Sequence, residues 1–193
     1  MVDLEGALSP EARAWLHGVA LDDKVALLAA FSGAARKVGK TPVGVGERGS
    51  WGMDEVARAA LLVNAYPRVV PDELWARGDN RERQAVLKAL PLLPEPERFA
   101  AIAIEACRSN VLTIFEAIAC ENPYPARYFP ELQFNQMALK AAFNGVALAR
   151  IVGLRERLNP ELARMASDFA AERRAAGRSV PADLGLLIEG RSP

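Results

Sequence analysis

Nearly every patterned segment of this chain repeats its apolar residues with the period of an α-helix. In the segment 78–93, for example, Val86, Leu87 and Leu90 share one face behind a cap at Asp79 or Asn80. No alternating run of β-branched residues is long enough to predict a strand. The sequence therefore predicts an all-α fold, either an irregular antiparallel helical bundle or a short HEAT-like solenoid.

Capping residues mark where several of the helices begin. Ser9 and Asn159 each stand directly before a proline, which suits the first position of a helix. In the segment 21–39, the spacing predicts that Val25, Leu28 and Phe31 form the buried stripe of the second helix. These signals predict successive helices of moderate length with short connections.

Two consecutive helical segments, 94–110 and 111–122, are apolar on nearly every side. Only Glu105 and Arg108 interrupt the apolar residues in the later part of the first segment, and Glu116 does so in the second. A helix of this kind is usually buried on several sides. We therefore expect these two helices to form the centre of the fold.

The charges on these helices have two interpretations, because a buried charge must be paired. Arg108 pairs with Glu105 or Glu116 across a tight hairpin, or these groups line a cavity in which the guanidinium binds a carboxylate or phosphate. Glu116 is also the best candidate for a catalytic acid or base, although no catalytic residue is identified.

Length and composition limit the classes of function. The 193 residues predict a single helical domain over 1–190 with a frayed tail at 191–193. Acidic and basic residues balance at 24 each, so nucleic acid is not an expected partner. The N-terminus lacks the apolar core of a signal peptide and no segment is long enough to span a bilayer, which predicts a cytoplasmic protein.

The sulfur and histidine content is too low for a metal or disulfide framework. Cys107 and Cys120 both lie in apolar helical segments, far from the single histidine, His17. We expect both cysteines to be buried and reduced. The sequence predicts no metal and no cofactor.

A glycine-rich segment at 38–52 is predicted to be a flexible loop. It contains the sequence GKT, but five residues separate Gly33 from Gly39, whereas a phosphate-binding loop has four residues between its two glycines. A nucleotide site is therefore not expected here. Lys40, Arg48 and Trp51 are the side chains of this loop that would contact a ligand.

The stretch ENPYPARYFPELQFNQMALK, residues 121–140, has the most unusual composition. Two of the three tyrosines of the chain lie here, among three prolines. The prolines predict an extended connection, with at most one helical turn over 126–128. Tyr124, Tyr128 and Phe129 are expected to project from it.

The helix that follows carries a polar stripe whose direction the sequence leaves open. Gln136, Lys140 and Asn144 recur at intervals of four residues. In one interpretation the stripe faces solvent and the aromatic residues close the end of the bundle. In the other, the stripe and Asn135 face inward and form an apolar pocket with a few polar groups.

The segment 107–151 closely resembles the EboA family, above all in EAIACENPYPARYFPE and the later FNQMALKA. The region 159–184 is also similar to the C-terminal part of that family. The resemblance implies a helical accessory protein of a bacterial operon that makes or moves a secondary metabolite, and it supplies no established catalytic residue. Because the recognisable residues are polar and aromatic, it favours the inward-facing pocket.

These observations predict an accessory protein that binds a small metabolite or precursor between the central helices and the connection 121–130. The alternatives are a metal-free lyase, isomerase or transferase, or a scaffold for other proteins of the operon. A homo-oligomer also stays open, since an apolar helix packs equally well against a second copy. The predicted ligand-binding residues are Arg108, Glu116, Asn122, Tyr124, Arg127, Tyr128, Asn135, Gln136, Lys140 and Asn144.

Overall fold

A computed structural model describes residues 4–45 and 50–189 of the protein, and these residues are mainly helical. They form two compact units, Met1–Ile118 and Ala119–Pro193. The helices of the first unit are α1 Pro10–His17, α2 Lys24–Val38, α3 Met53–Ala65, α4 Pro71–Arg77, α5 Asn80–Ala89, α6 Ala100–Arg108 and α7 Leu112–Ala119, the last of which ends one residue beyond the unit. Those of the second are α8 Tyr124–Tyr128, α9 Glu131–Phe143, α10 Pro160–Ala175 and α11 Gly185–Ile188. The prediction of an all-α fold is confirmed.

The helices begin at the capping residues that the sequence marks. The Ser9 hydroxyl accepts a hydrogen bond from a backbone N–H of α1 at 3.2 Å. At the start of α5, Asp79 and Glu82 each accept the backbone N–H of the other at 2.8 Å, which forms a capping box. The Asn159 side chain accepts the N–H of Leu162 at the start of α10. Local hydrogen bonding thus fixes these helix starts.

The core of the first unit is built around α3, which packs against α2 and α5. Val56, Leu61 and Leu62 of α3 are almost completely buried. In α6, which the sequence predicts to be buried on several sides, Ile102, Ala103 and Ala106 are buried, whereas Glu105 and Arg108 are exposed on one face. Those two charges therefore need no buried partner.

The buried face of α2 also differs from the prediction. Val25 is 77% exposed, while Leu27 and Phe31 are buried. The predicted stripe was therefore wrong at its first position: the face that α3 covers runs through Leu27, Phe31 and Ala34.

A two-stranded antiparallel sheet interrupts the helices within the glycine-rich segment. Strands β1, Pro42–Gly44, and β2, Ser50–Gly52, pair so that Val43 lies opposite Trp51. The Trp51 side chain is buried. The intervening residues 46–49, including the candidate Arg48, lie outside the described residues.

In the second unit, α10 packs against α9 and α11. Its largest fully buried side chains include Phe134, Met137 and Leu162. The connection between α9 and α10 contains 3-10 turns at Leu148–Arg150 and Arg155–Arg157. The backbone N–H of Leu148 donates to the carboxylate of Asp183 at 2.7 Å, which ties this connection to the C-terminal region.

Both cysteines are buried and free of disulfide bonds, as predicted. Among the described helices, none has the length and apolar character that crossing a bilayer requires.

Candidate functional site

The predicted site residues fall in both units of the structure. Arg108, which is exposed, and Glu116, which is half-buried, lie in the first unit. The others lie in the second unit. The proposed pocket that combines the two groups stays a prediction.

The segment around residues 121–130 is a short helix held at its start by Asn122. The buried Asn122 side chain accepts the backbone N–H of Tyr124 at 3.0 Å. This interaction orders the entry into α8 in the way that an Asx turn does. The expected extended connection is therefore wrong, because the prolines are accommodated in and before the first turn of the helix.

The aromatic residues of this segment pack into the core rather than project from it. Tyr124 is fully buried, and its ring centroid lies 4.9 Å from that of Tyr128 and 6.2 Å from that of Phe129. Phe129 is also buried, Tyr128 is half-buried and Arg127 is exposed. Tyr124 and Phe129 therefore contribute packing, and the expectation that they project is wrong.

The polar stripe of α9 does not face inward as a whole. Gln136 and Asn144 are exposed, whereas Lys140 is half-buried. Asn135, one residue away from Gln136, is buried and exchanges hydrogen bonds of 3.2 and 3.0 Å with Asn159. The inward interpretation is therefore wrong for Gln136 and Asn144, and the buried amide of Asn135 is used to fix the start of α10.

Two arginines that the sequence did not single out hold the segment 121–130, which we call the signature segment, in place. Arg150 forms a two-pronged ion pair with Glu121, with distances of 2.7 and 3.0 Å. Arg157 donates to the carbonyls of Ala126 at 2.7 Å and Phe129 at 2.8 Å, at the end of α8. Its guanidinium also lies 4.6 Å from the ring centre of Phe134. These contacts attach the connection 145–158 to the segment 121–130.

Gly153 permits the close approach of these two segments. Its φ angle is +73°, and a Cβ placed there would lie 2.6 Å from the Cβ of Ala126. A larger residue would meet both a strained backbone and a steric clash. In the sequence, this contact is indicated only by Arg150, Arg157 and Gly153. These residues lie too far along the chain from the segment 121–130 for local spacing to link the two.

The connection 145–158 also lines an open groove of about 760 Å³. Its floor contains the buried side chains of Leu148, Ile151 and Leu154. Its full lining is Leu148, Ala149, Ile151, Gly153, Leu154, Arg155, Glu156, Leu158, Leu186 and Glu189. The groove is open to solvent and combines apolar lining residues with three charged side chains.

The charged groups of the groove are exposed and have no ion-pair partner within the described residues. They are Arg155, Glu156 and Glu189. Their side chains are consequently available to a ligand at the rim. Sequence reasoning missed this site, because its lining comes from a 3-10 segment and from α11 rather than from one helix face.

The first unit contains a buried cluster of charges at the start of α3. Asp54, which is fully buried, accepts hydrogen bonds from Arg58 at 2.6 Å and from Arg81 at 2.9 Å. Burial raises the pKa of Asp54, but the hydrogen bonds from Arg81 and Arg58 outweigh it, so the pKa lies below its ordinary value. The carboxylate of the neighbouring Glu55 accepts a hydrogen bond from the Lys88 ammonium at 2.7 Å.

This cluster also fixes the hairpin that precedes α3. The Glu55 carboxylate accepts the backbone N–H of Gly52 at 2.7 Å, and Lys88 Nζ lies 5.4 Å from the ring centre of Trp51. Trp51 is therefore part of the core, and the expectation that it contacts a ligand from a loop is not supported by its burial. Lys40 is exposed.

Over the described ranges, no group of three or more His, Cys, Asp and Glu side chains is arranged to hold a metal ion. The structure thus defines an all-α protein in which Asn122, Tyr124 and Asn135 stabilise the second unit, and in which the connection 145–158, together with Leu186 and Glu189, lines an open groove. The sequence model of the family described as metabolite traffic protein EboA matches residues 4–189, and the chain belongs to this family. The resemblance noted in the sequence is confirmed. Comparison with curated proteins and with solved structures gives no match.

Proposed function

We propose that this protein binds a small metabolite or precursor in the groove of its second unit and serves as an accessory protein in metabolite traffic. The observation that carries the proposal is the groove itself. Its volume of about 760 Å³ falls in the range of small-molecule sites, roughly 300 to 1,000 Å³. The family description supports a role in metabolite traffic in general terms.

The proposal gives the signature segment a positioning role. Because Arg150 binds Glu121 and Arg157 binds the carbonyls at the end of α8, the wall of the groove is held by residues outside it. Rigid support of this kind reduces the conformational entropy that a ligand must overcome. The polar residues of the segment 121–130 then preserve the shape of the site without touching the bound molecule.

Filling the groove tests this proposal. Ala149 is exposed and lines the groove, so Ala149→Trp adds a large side chain there without removing a core contact. Nile red, a neutral apolar dye, is expected to gain fluorescence with the wild-type protein and to lose that gain with Ala149→Trp. The matched control is Ala171→Trp, which adds the same side chain at an exposed position of α10 outside the groove.

The physiological ligand is then sought by native mass spectrometry after incubation with extract from cells that express the operon. The wild-type protein and Ala171→Trp are expected to retain an added mass that Ala149→Trp lacks. Equal capture by all three proteins would overturn the groove as the site. Loss of capture in Tyr128→Ala or Lys140→Ala, with Ala149→Trp unaffected, would instead support the location predicted from the sequence.

A second candidate, a scaffold for other proteins of the operon, is favoured by the exposed face of α9. Leu132 is 52% exposed and Phe143 is 65% exposed, and Gln136 lies on the same side of the helix. Exposed apolar residues with polar neighbours are typical of protein-binding surfaces. Cross-linking mass spectrometry in cells that express the operon is expected to place partner peptides on α9, and Phe143→Asp to remove them, if this function holds.

A further inference from the structure

We infer that the groove of the second unit selects amphipathic molecules whose head group carries an ammonium, and that Glu156 and Glu189 provide this selectivity. The inference rests on the proposed function, since it concerns the same groove. It assigns a charge preference to the ligand, which neither the family description nor the fold supplies.

The first step is the balance of charge in the lining. One guanidinium, that of Arg155, stands against the two carboxylates of Glu156 and Glu189, and the remaining lining residues are uncharged. The formal charge of the lining is therefore −1. An anionic head group would meet more repulsion than attraction there, and an ammonium would meet the reverse.

The second step is that these carboxylates are not already neutralised. Within the described part of the chain, neither Glu156 nor Glu189 forms an ion pair, whereas many other glutamates do, such as Glu121 with Arg150. A ligand therefore does not have to break an existing ion pair to use them.

The third step is the position of the carboxylates relative to the apolar floor. Glu156 and Glu189 are exposed, and both line the groove together with the buried side chains of Ile151 and Leu154. The two carboxylates therefore border the apolar part of the lining. An apolar body on Ile151 and Leu154 brings its head group close to these charges.

Three probes with the same decyl chain test the inference: decyltrimethylammonium, decanesulfonate and decyl maltoside, each below its aggregation concentration. Isothermal titration calorimetry at low ionic strength is expected to show decyltrimethylammonium binding about tenfold more tightly than decanesulfonate, since two exposed charge pairs contribute modestly. Because the charges are exposed, the preference is expected to shrink when the salt concentration is raised to about 0.5 M.

The double variant Glu156→Gln/Glu189→Gln is expected to lose the preference for the cation while it still binds decyl maltoside. Its matched control is Glu131→Gln/Glu172→Gln, which removes the same charge from exposed positions of α9 and α10 outside the groove and is expected to keep the preference. Retained binding of decyl maltoside shows that the double variant is folded.

The two ideas fail in different ways. If no probe binds, or if Ala149→Trp leaves the binding of all three unchanged, the groove is not the site and the proposed function fails with it. If all three bind equally, or if decanesulfonate binds most tightly, the groove remains a site and the ammonium preference is overturned. A preference that survives in Glu156→Gln/Glu189→Gln would overturn the role of these two residues.

Discussion

At the scale of single residues, the most consequential side chain is the buried carboxylate of Asp54. It lies in the first turn of α3, and its two arginine partners neutralise it: Arg58 in the same helix and Arg81 in α5. The Arg58 guanidinium also donates to the carbonyl of Phe31 in α2. One carboxylate therefore organises contacts among three helices of the first unit.

Replacing this carboxylate by an amide should destabilise the first unit. Asp54→Asn leaves the buried guanidinium of Arg58 without its counterion, and breaking a buried pair typically costs about 3 kcal/mol. Urea unfolding followed by tryptophan fluorescence is the measurement, since Trp15, Trp51 and Trp75 all lie in the first unit. Asp72→Asn, an exposed change in the first turn of α4, serves as the control and should have little effect.

The same residue predicts a dependence of stability on pH. The folded-state pKa of Asp54 is lowered, so its contribution is complete above the unfolded value of about 4 and is lost as the pH falls through the folded-state pKa. The difference in unfolding free energy between the wild type and Asp54→Asn should therefore be largest near pH 7 and decrease below pH 4. A difference that stays constant from pH 7 to pH 3 would show that the ionised form of Asp54 contributes nothing specific.

At the scale of secondary-structure elements, α8 depends on a side chain from a distant connection. This helix has only five residues, and a helix this short is not stable by itself. Arg157 satisfies carbonyls at its C-terminal end and stacks on Phe134 of α9. The stability of the signature segment therefore depends on residues that are distant in the sequence.

Removing that side chain should loosen α8 specifically. In Arg157→Ala, the amide of Phe129, which donates to Pro125, is expected to exchange its hydrogen about 30-fold faster, as follows from losing charge-assisted hydrogen bonds worth about 2 kcal/mol. Arg157→Lys should restore little of this protection at Phe129, because an ammonium cannot span both carbonyls as the guanidinium does. Hydrogen exchange measured by NMR gives the result, with the exposed Arg174→Ala as control; unchanged exchange at Phe129 would contradict the role of Arg157.

This distinction between local and distant contacts explains how much of the structure the sequence predicts. The starts of α1, α5 and α10 are correctly predicted, because a capping side chain and its backbone partner lie within three residues. The importance of α3 is missed, because its charges look like a solvent-facing pattern until Arg81 and Lys88 of α5 are placed beside them. Helical periodicity predicts that an element exists, but not which face is covered.

The candidate site, too, is predictable from the sequence only where its contacts are local. The sequence identifies the segment 121–130 as unusual and correctly leads to the EboA family. It does not predict that Tyr124 is buried or that Asn135 is turned towards Asn159 while Gln136 is exposed, since both helix positions carry an amide and only the packing around the helix decides which of them faces inward. The groove is formed by irregular backbone, for which no periodic signal exists.

At the scale of the whole molecule, the structure places the groove in one unit and the buried charge cluster in the other. The ligand binding that we propose and the stability of the first unit therefore depend on different residues. Variants in the groove and variants at Asp54 separate the two properties experimentally. We therefore expect a bound ligand to change amide protection in the second unit and not in the first.

Hydrogen exchange in the presence of decyltrimethylammonium tests this division of roles. A ligand that binds only the native state raises the protection factor by 1 + [L]/Kd, which is about tenfold when the probe is present at ten times its dissociation constant. The increase is expected at the amides of Ile151 and Glu189, which are hydrogen-bonded beside the groove, and to be absent at the amide of Arg83 in α5. Ala149→Trp should abolish it. Protection that rises as much at Arg83 as at Ile151 would contradict this division of roles, because binding of the probe would then stabilise both units.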